Sequence, residues 1–332
     1  MRLRATLAFL ASATGALAQT PSPQPTVEPV VTSLTLFAGT PETLWRTKDW
    51  GSTWERVLGL AKQKQQPLTD VRAIFPTGPR VYVGGIGGLA VSDDFGVNWT
   101  RLFEGETVLC VLPSRYPQAD PTVFLGTPRG LLKTLDGVTL LGTAVQGAPV
   151  RRLEWPGPAL VVATDRGVFV SSDAAKSLLP QGKGLPAAEV RALVVSNFYQ
   201  VDPVMFAGFQ GGLYRSSDGG ETWTLAGLAG QEVNDLAWLG PILYAATDAG
   251  VQRSEDLGKT WTPLTLGLIG RVNRLLFPLL PDSGAVVFAA TDHGVYRSED
   301  AGLNWRFSGM KGENVIAIAT FPPPERVMRP RR

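Results

Sequence analysis

Residues 295–305, "VYRSEDAGLNW", put Tyr296, Arg297, Glu299, Asp300 and Trp305 into one short stretch, and His293, the only histidine of the chain, sits two residues upstream. A carboxylate pair beside an imidazole and a hydroxyl is the raw material of general acid–base and nucleophilic chemistry. The rest of the chain removes that reading. The stretch recurs as "LWRTKDWGSTW" (44–54), "LAVSDDFGVNW" (89–99), "LYRSSDGGETW" (213–223) and "VQRSEDLGKTW" (251–261), with degenerate copies "LLKTLDGVTLL" (131–141) and "VFVSSDAAKSL" (168–178). A catalytic residue has no need of seven copies. A structural turn does.

The aligned aspartates are Asp49, Asp94, Asp136, Asp173, Asp218, Asp256 and Asp300, spaced 37 to 45 residues apart. Repeats of that period signal stacked supersecondary units. In each unit the alternating residues before the Asp form a strand, and the carboxylate collects amide donors of a hairpin turn. A Gly two residues on (51, 96, 220, 258, 302) supplies a positive φ. The Trp that follows (Trp54, Trp99, Trp223, Trp261, Trp305) is expected to cover the hairpin with a large apolar plate. Leu141 and Leu178 replace it in the degenerate copies, where Val138 and Ala175 replace the Gly, so those two hairpins are expected to be looser.

Two further strands accompany each hairpin. One carries a Val-x-x-(Leu/Ile/Val) pattern, as in "VRAI" (71) and "VNRL" (272), and the other is an apolar run such as "VVFAAT" that ends near Gly or Ala. Four strands per repeat, seven times over, give an all-β fold: a seven-bladed β-propeller of four-stranded antiparallel blades. The chain enters at the second strand of a blade and ends with an unaccompanied first strand, "VIAIATF" (315–321). That strand is expected to join the three N-terminal ones and close the ring, leaving no open edge between the two ends.

Composition sets the address and excludes several classes. With 37 Gly, 26 Pro and only 18% charged residues, the chain suits short strands and tight turns. "MRLR" followed by an apolar run and "ALA" reads as a signal peptide over 1–18, which implies a secreted or periplasmic protein. Residues 19–29 form a Pro-rich linker, 30–321 the propeller, and 322–332 a basic tail. No later segment reads as a membrane span. The single cysteine, Cys110, excludes an internal disulfide and a cysteine-based zinc site, and it reads as a buried thiol. No metal or other cofactor motif is present, and "GGIGG" (84–88) has no helix after it to hold a phosphate. Once the terminal arginines are set aside the body is near neutral, which argues against nucleic acid as a partner. A monomer is expected.

The Ser/Thr-x-Asp-x-Gly-x-x-Trp motif resembles the Asp-box (BNR) repeat, over essentially all of residues 30–321. Among Asp-box propellers the chain is most similar to the photosystem II stability/assembly factor-like family and to exported bacterial relatives, through units such as "GGLYRSSDGGETW" (211–223). That resemblance implies a non-enzymatic scaffold for protein partners, with the Asp-boxes away from the working face. The alternative is a carbohydrate-active protein, a glycosidase or a lectin. A sialidase likeness would require an Arg-Ile/Leu-Pro type motif, which "LWRTKD" and "NWRFSG" do not match, and glycoside hydrolysis needs a carboxylate pair that no spacing nominates.

The remaining candidates are arginines. Arg72, Arg151 and Arg191 directly follow the Val of the first strands, and Arg152 and Arg274 come one place later. Arg129 and Arg166, on loops between second and third strands, are expected on the same face. Together they could grip carboxylates of a partner through bidentate bonds. Structural pairing with Asp70, Asp165, Glu189, Glu232 or Asp235 is the competing role.

Overall fold

The computed structural model describes residues 34–58, 68–114, 116, 119–135, 141–156, 159–196, 199, 201–278 and 286–321. The signal peptide, the Pro-rich linker, the basic tail and Asp136 lie outside the described residues. Among the described residues, 28 strands form seven four-stranded antiparallel sheets, the blades. Each blade begins with an inner strand: β4 (Thr69–Thr77), β8 (Cys110–Pro113), β12 (Val150–Glu154), β16 (Ala192–Val195), β20 (Val233–Leu239), β24 (Val272–Leu276) and β28 (Ala317–Thr320). Each of these contacts the next in that order, and β28 contacts β4, so the inner strands form a closed cycle.

Closure works as the sequence implies. The last strand, β28, pairs antiparallel with β1 (Leu36–Gly39), which in turn pairs with β2 (Leu44–Thr47) and through it with β3 (Glu55–Arg56). Ile316 N donates to Gly39 O at 2.8 Å, and Thr320 Oγ1 donates to Thr35 O at 2.9 Å. Phe321 stacks edge-on against Phe37 and Phe95, with centroids 5.5 and 5.1 Å away.

The second strand of each blade is buried on both faces, as in "VFAAT" (287–291) and "MFAGF" (205–209), because it lies between two neighbouring blades. This explains its unbroken apolar run where a half-exposed strand would alternate. Glycine appears there where blades approach most closely. A Cβ on Gly208 would meet Val233 Cγ1 at 2.6 Å and Val233 O at 2.8 Å.

The Asp-box turns share one bonding pattern. In the last blade Ser298 Oγ donates to Asp300 Oδ1 (2.7 Å) and accepts from Gly302 N (2.8 Å). Asn304 then gives its backbone N–H to Oδ1 (2.8 Å) and its side-chain amide to Oδ2 (2.7 Å). The residue four after the Asp is Thr, Asn or Ser in all six described boxes, since it must supply both donors. These bonds hold the box carboxyls at about 2, below the usual carboxylate range.

One sequence expectation is corrected and another is extended. The box at 171–178 is not loose: Ala175 N donates to Ser171 Oγ at 2.8 Å and Ser177 N to Asp173 Oδ1 at 2.9 Å, as in the Gly-bearing copies. Ala175 simply takes the left-handed conformation itself, at φ 63°. The Trp covers its own turn, where Trp54 Nε1 donates to Gly51 O at 2.9 Å and Trp223 Nε1 to Gly220 O at 2.7 Å, and it also reaches the neighbouring blade. Trp223 packs with Val161 and Val168 of the preceding blade, and Trp305 with Tyr244 and Leu264 of the one before it. Each is a seal between blades. Trp305 Nε1 even donates to Leu264 O across that seam, at 3.0 Å.

Candidate functional site

The groups that give "VYRSEDAGLNW" a reactive look are engaged within the blade: Asp300 bonds Asn304, and Glu299 pairs with Arg297 at 2.6 Å. Ser298 is buried with its Oγ committed to Asp300 and Gly302, and His293 Nδ1 faces Asp292 Oδ1 (2.7 Å) in an exposed turn. Asp165, the equivalent of Asp292 three blades earlier, shows what that turn does: it reaches the start of an inner strand and pairs with Arg151.

A shallow cavity of about 510 Å³ does open beside this stretch, lined by Trp50, Arg297, Glu299 and Asp300, whose charged groups are paired with one another or bonded into the turn. A second concavity, on the axis, gathers groups from several blades. A funnel of about 350 Å³ opens where the inner strands begin, and Arg72, Arg151, Arg152, Arg191, Arg271 and Arg274 all line it. Five of these are sequence candidates; Arg271 precedes the Val of its strand and so falls outside the repeated pattern that marks the others. Arg129 and Arg166 do not line the funnel, and Arg129 is turned to solvent beside Glu106 at 3.6 Å. Pro41, Leu109, Val190 and Ile316 supply an apolar arc, and no aromatic side chain is among the lining residues.

Local backbone explains how two successive arginines reach one cavity. A regular strand sends neighbours to opposite faces. The pairing of β12 with the strand beside it shifts register between Val150 and Arg152, and the same shift occurs at Val233/Asp235 and Val272/Arg274. A bulge of this kind re-aims a side chain, here Arg151, Asn234 and Asn273, toward the mouth. No residue type in those stretches announces it, so the sequence gives no warning.

The asparagines tie blades together around the funnel. Asn234 Nδ2 donates to Val272 O (3.0 Å), and Asn273 Nδ2 donates to Val315 O (2.8 Å) in the closing segment. Carboxylates meet the rim arginines: Arg72 with Asp70 at 2.6 Å, Arg151 with Asp165 at 3.1 Å and Glu189 at 3.4 Å, Arg191 with Glu232 at 2.8 Å. Burial works against the Arg151 charge, but Asp165 and Glu189 outweigh it and raise its pKa. Both sequence roles are therefore realised at once: the arginines converge, and the rim members are paired.

Deeper in the channel lie Cys110, Arg152, Glu154, Asp235 and Arg274. Burial pushes the Cys110 thiol up to about 12, so it stays neutral, with Sγ 3.6 Å from Val150 O. Burial likewise raises Glu154 to about 7; Arg152 opposes this and Asp235 adds to it. Glu154 is partly buried. The unfolded chain would ionise this carboxyl near 4.5, so the folded state binds the extra proton between about 4.5 and 7. Stability is thus highest below that window and falls as pH rises through it, by about 2–3 kcal/mol in all. We expect Glu154→Gln to remove this loss, so that urea unfolding of variant and wild type diverges between pH 5 and pH 8. Parallel pH profiles would count against a buried Glu154.

Among known proteins, a BNR/Asp-box repeat model matches residues 214–225, and no curated protein matches the sequence. The structure is similar to YCF48 bound to a D1 peptide, at 16% identity and TM-score 0.61, over 80% of this chain and 92% of that one. It is also similar to YCF48 from Cyanidioschyzon merolae, at 14% identity and TM-score 0.56, over 74% and 87%. The GH74 enzyme of Niastella koreensis matches at 16% identity and TM-score 0.58, over 76% of this chain but only 46% of the enzyme. This chain therefore spans about half the length of that enzyme. Among the described residues no helix is long and apolar enough to cross a membrane. At these identities the likeness is one of fold, and together with the six bonded boxes it identifies the chain as a seven-bladed β-propeller built on BNR/Asp-box repeats.

Proposed function

We propose that this chain is an exported binding scaffold that docks an acidic segment of a protein partner across the funnel mouth and performs no chemistry of its own. The observation that carries the reading is the convergence of six arginines from four blades on one axial cavity. Guanidinium groups held by neighbouring carboxylates are pre-oriented, and an incoming carboxylate can share or exchange those partners without ordering long side chains afresh. YCF48, a fold neighbour of similar length, has been solved with a peptide bound, which makes peptide capture a reasonable use of such a ring.

A glycosidase reading has one point in its favour, the electrostatically coupled carboxyls of Glu154 and Asp235, with Glu154 raised toward neutrality. Neither lines the funnel, and a saccharide would find no aromatic plate there. The acidic groups that do line it, Asp70 and Glu189, face arginines. Binding is the better-supported use of the cavity.

The test is a triple variant, Arg72→Ala, Arg151→Ala and Arg191→Ala, titrated with a labelled Glu-rich peptide. Removing three guanidinium groups leaves Asp70, Asp165 and Glu189 without their arginines at the mouth, Glu232 keeping only Arg271, and turns the local balance toward negative. Affinity should fall by at least about tenfold, with a weaker salt dependence, while the thermal transition remains cooperative. Unchanged affinity in the variant would sink the docking reading.

A further inference from the structure

The six arginines of the funnel are not equivalent. Arg72, Arg151, Arg191 and Arg271, at the rim, each have a carboxylate oxygen within 4 Å, at 2.6, 3.1, 2.8 and 3.6 Å respectively. Arg152 and Arg274 have none among the described residues. They bond only to backbone carbonyls: Arg152 Nη1 to Arg151 O at 2.8 Å, and Arg274 Nη1 to Asn273 O at 2.8 Å and Asn234 O at 2.9 Å. Among the described residues only Nη1 of each is hydrogen-bonded, and both side chains are partly exposed and line the funnel. A guanidinium offers five N–H donors, and here most are left facing a cavity.

Carbonyl bonds hold these two side chains in place without cancelling their charge. Asp235, on the neighbouring inner strand, accepts the Leu275 amide at Oδ2 (3.0 Å) and forms no ion pair with either arginine, so it offsets their charge only at a distance. Burial, then the proximity of Arg152, push Arg274 down to about 9, with Asp235 opposing and Arg72 adding to the push. At neutral pH it remains charged, so two partly buried cations without a carboxylate within 4 Å share the floor of one funnel. Such an arrangement attracts an oxyanion more strongly than a rim whose charges are already met.

We propose that Arg152 and Arg274 form an anion subsite at the floor of the funnel, which takes a single oxyanion group of the carboxylate, phosphate or sulfate type inserted along the axis. The group could come from a protruding acidic residue of a docked partner or from a free small anion. For the partner, this rests on the docking reading above; for the anion it does not. Arg151 and Arg72 line the funnel beside the pair, while Glu154 from β12, Cys110 from β8 and Asp235 from β20 lie behind the lining within electrostatic reach of it. Of these Glu154 changes charge near neutrality, so its protonation removes a competing negative charge and capture tightens as pH falls through about 7.

The experiment follows arginine side-chain N–H resonances of the wild-type chain by NMR during titration with sodium sulfate, at pH 6 and pH 8. Saturable shifts at Arg152 and Arg274 are expected, about tenfold tighter at pH 6. Glu154→Gln should abolish that pH difference, and Arg152→Gln should weaken sulfate by at least about tenfold. Linear, unsaturable shifts, or shifts confined to the rim arginines, would overturn the subsite. A Glu-rich peptide separates the two readings. If it competes with sulfate, the partner supplies the anion. If sulfate binds at Arg152 and Arg274 but the peptide does not bind, the docking reading fails and the subsite stands. If the peptide binds without regard to sulfate or to Arg152→Gln, the subsite fails and docking stands.

Discussion

A chain ending at Asn314 is expected to lose cooperative folding, whereas one ending at Phe321 keeps it. The difference is seven residues, and they do three jobs. β28 supplies the inner strand of the first blade and pairs with β1 over four residues. Val315, Ala317 and Ala319 are buried, and Phe321 joins an aromatic cluster with Phe37 and Phe95. Without them Leu36, Ala38 and the backbone of β1 would line a wetted gap between the last blade and the second. Unpaired backbone groups and exposed core of that extent rival the ~5–15 kcal/mol that holds a domain together. Far-UV circular dichroism during urea unfolding checks this: the shorter chain should show a broad, early transition. Adding a peptide of residues 315–321 in trans should sharpen it. A shorter chain with an unchanged midpoint would show that the ring does not depend on its closing strand.

Trp223→Ala should be the most damaging single substitution among the boxes, at about 3–5 kcal/mol. Trp223 is only 3% exposed, its ring lies between two blades, and Nε1 donates to Gly220 O at 2.7 Å. Truncation opens a cavity that neither blade can collapse into, because both are pinned by their own ladders. Trp223→Leu should cost markedly less, since Leu178 already occupies the equivalent place against Leu112 and Phe124 in another seam. Equilibrium unfolding of the two variants decides the point. A loss below about 1 kcal/mol for the alanine variant would mean that the seam is not sealed by this residue.

What the sequence made legible follows from repetition. Seven similar segments show which residue types a turn must have, and so Asp300, Trp305 and the final first strand could be assigned before any coordinates. Comparison between copies also disposed of His293, whose position carries Arg166 or Ala249 in sister turns. What repetition cannot show is the relation between one copy and the next. That Trp223 packs on the preceding blade, or that Asn273 donates to Val315 O, depends on the ring rather than the repeat. The funnel was half legible for the same reason. Arginines at matching positions of several blades implied convergence, but the bulges that turn Arg151 and Arg152 into one cavity leave no compositional trace. Nor could the sequence tell the paired rim from the unpaired floor. The difference is one of which carboxylate happens to lie within reach, and Asp235 is close in space to Arg274 yet bonded elsewhere.

The hydrogen bond from Thr320 to Thr35 spans 285 positions of chain, and it has a kinetic meaning. Most contacts within a blade are local and can form as soon as a blade exists. The clasp must wait for nearly the whole polypeptide, and the loop it closes carries the entropy of that wait. Folding should therefore end in a slow step whose rate tracks the meeting of the two ends, in the millisecond-to-second regime of non-local β topologies. Until then the penultimate species is an open arc with two raw edges, and that arc, rather than the finished ring, is the form most exposed to self-association.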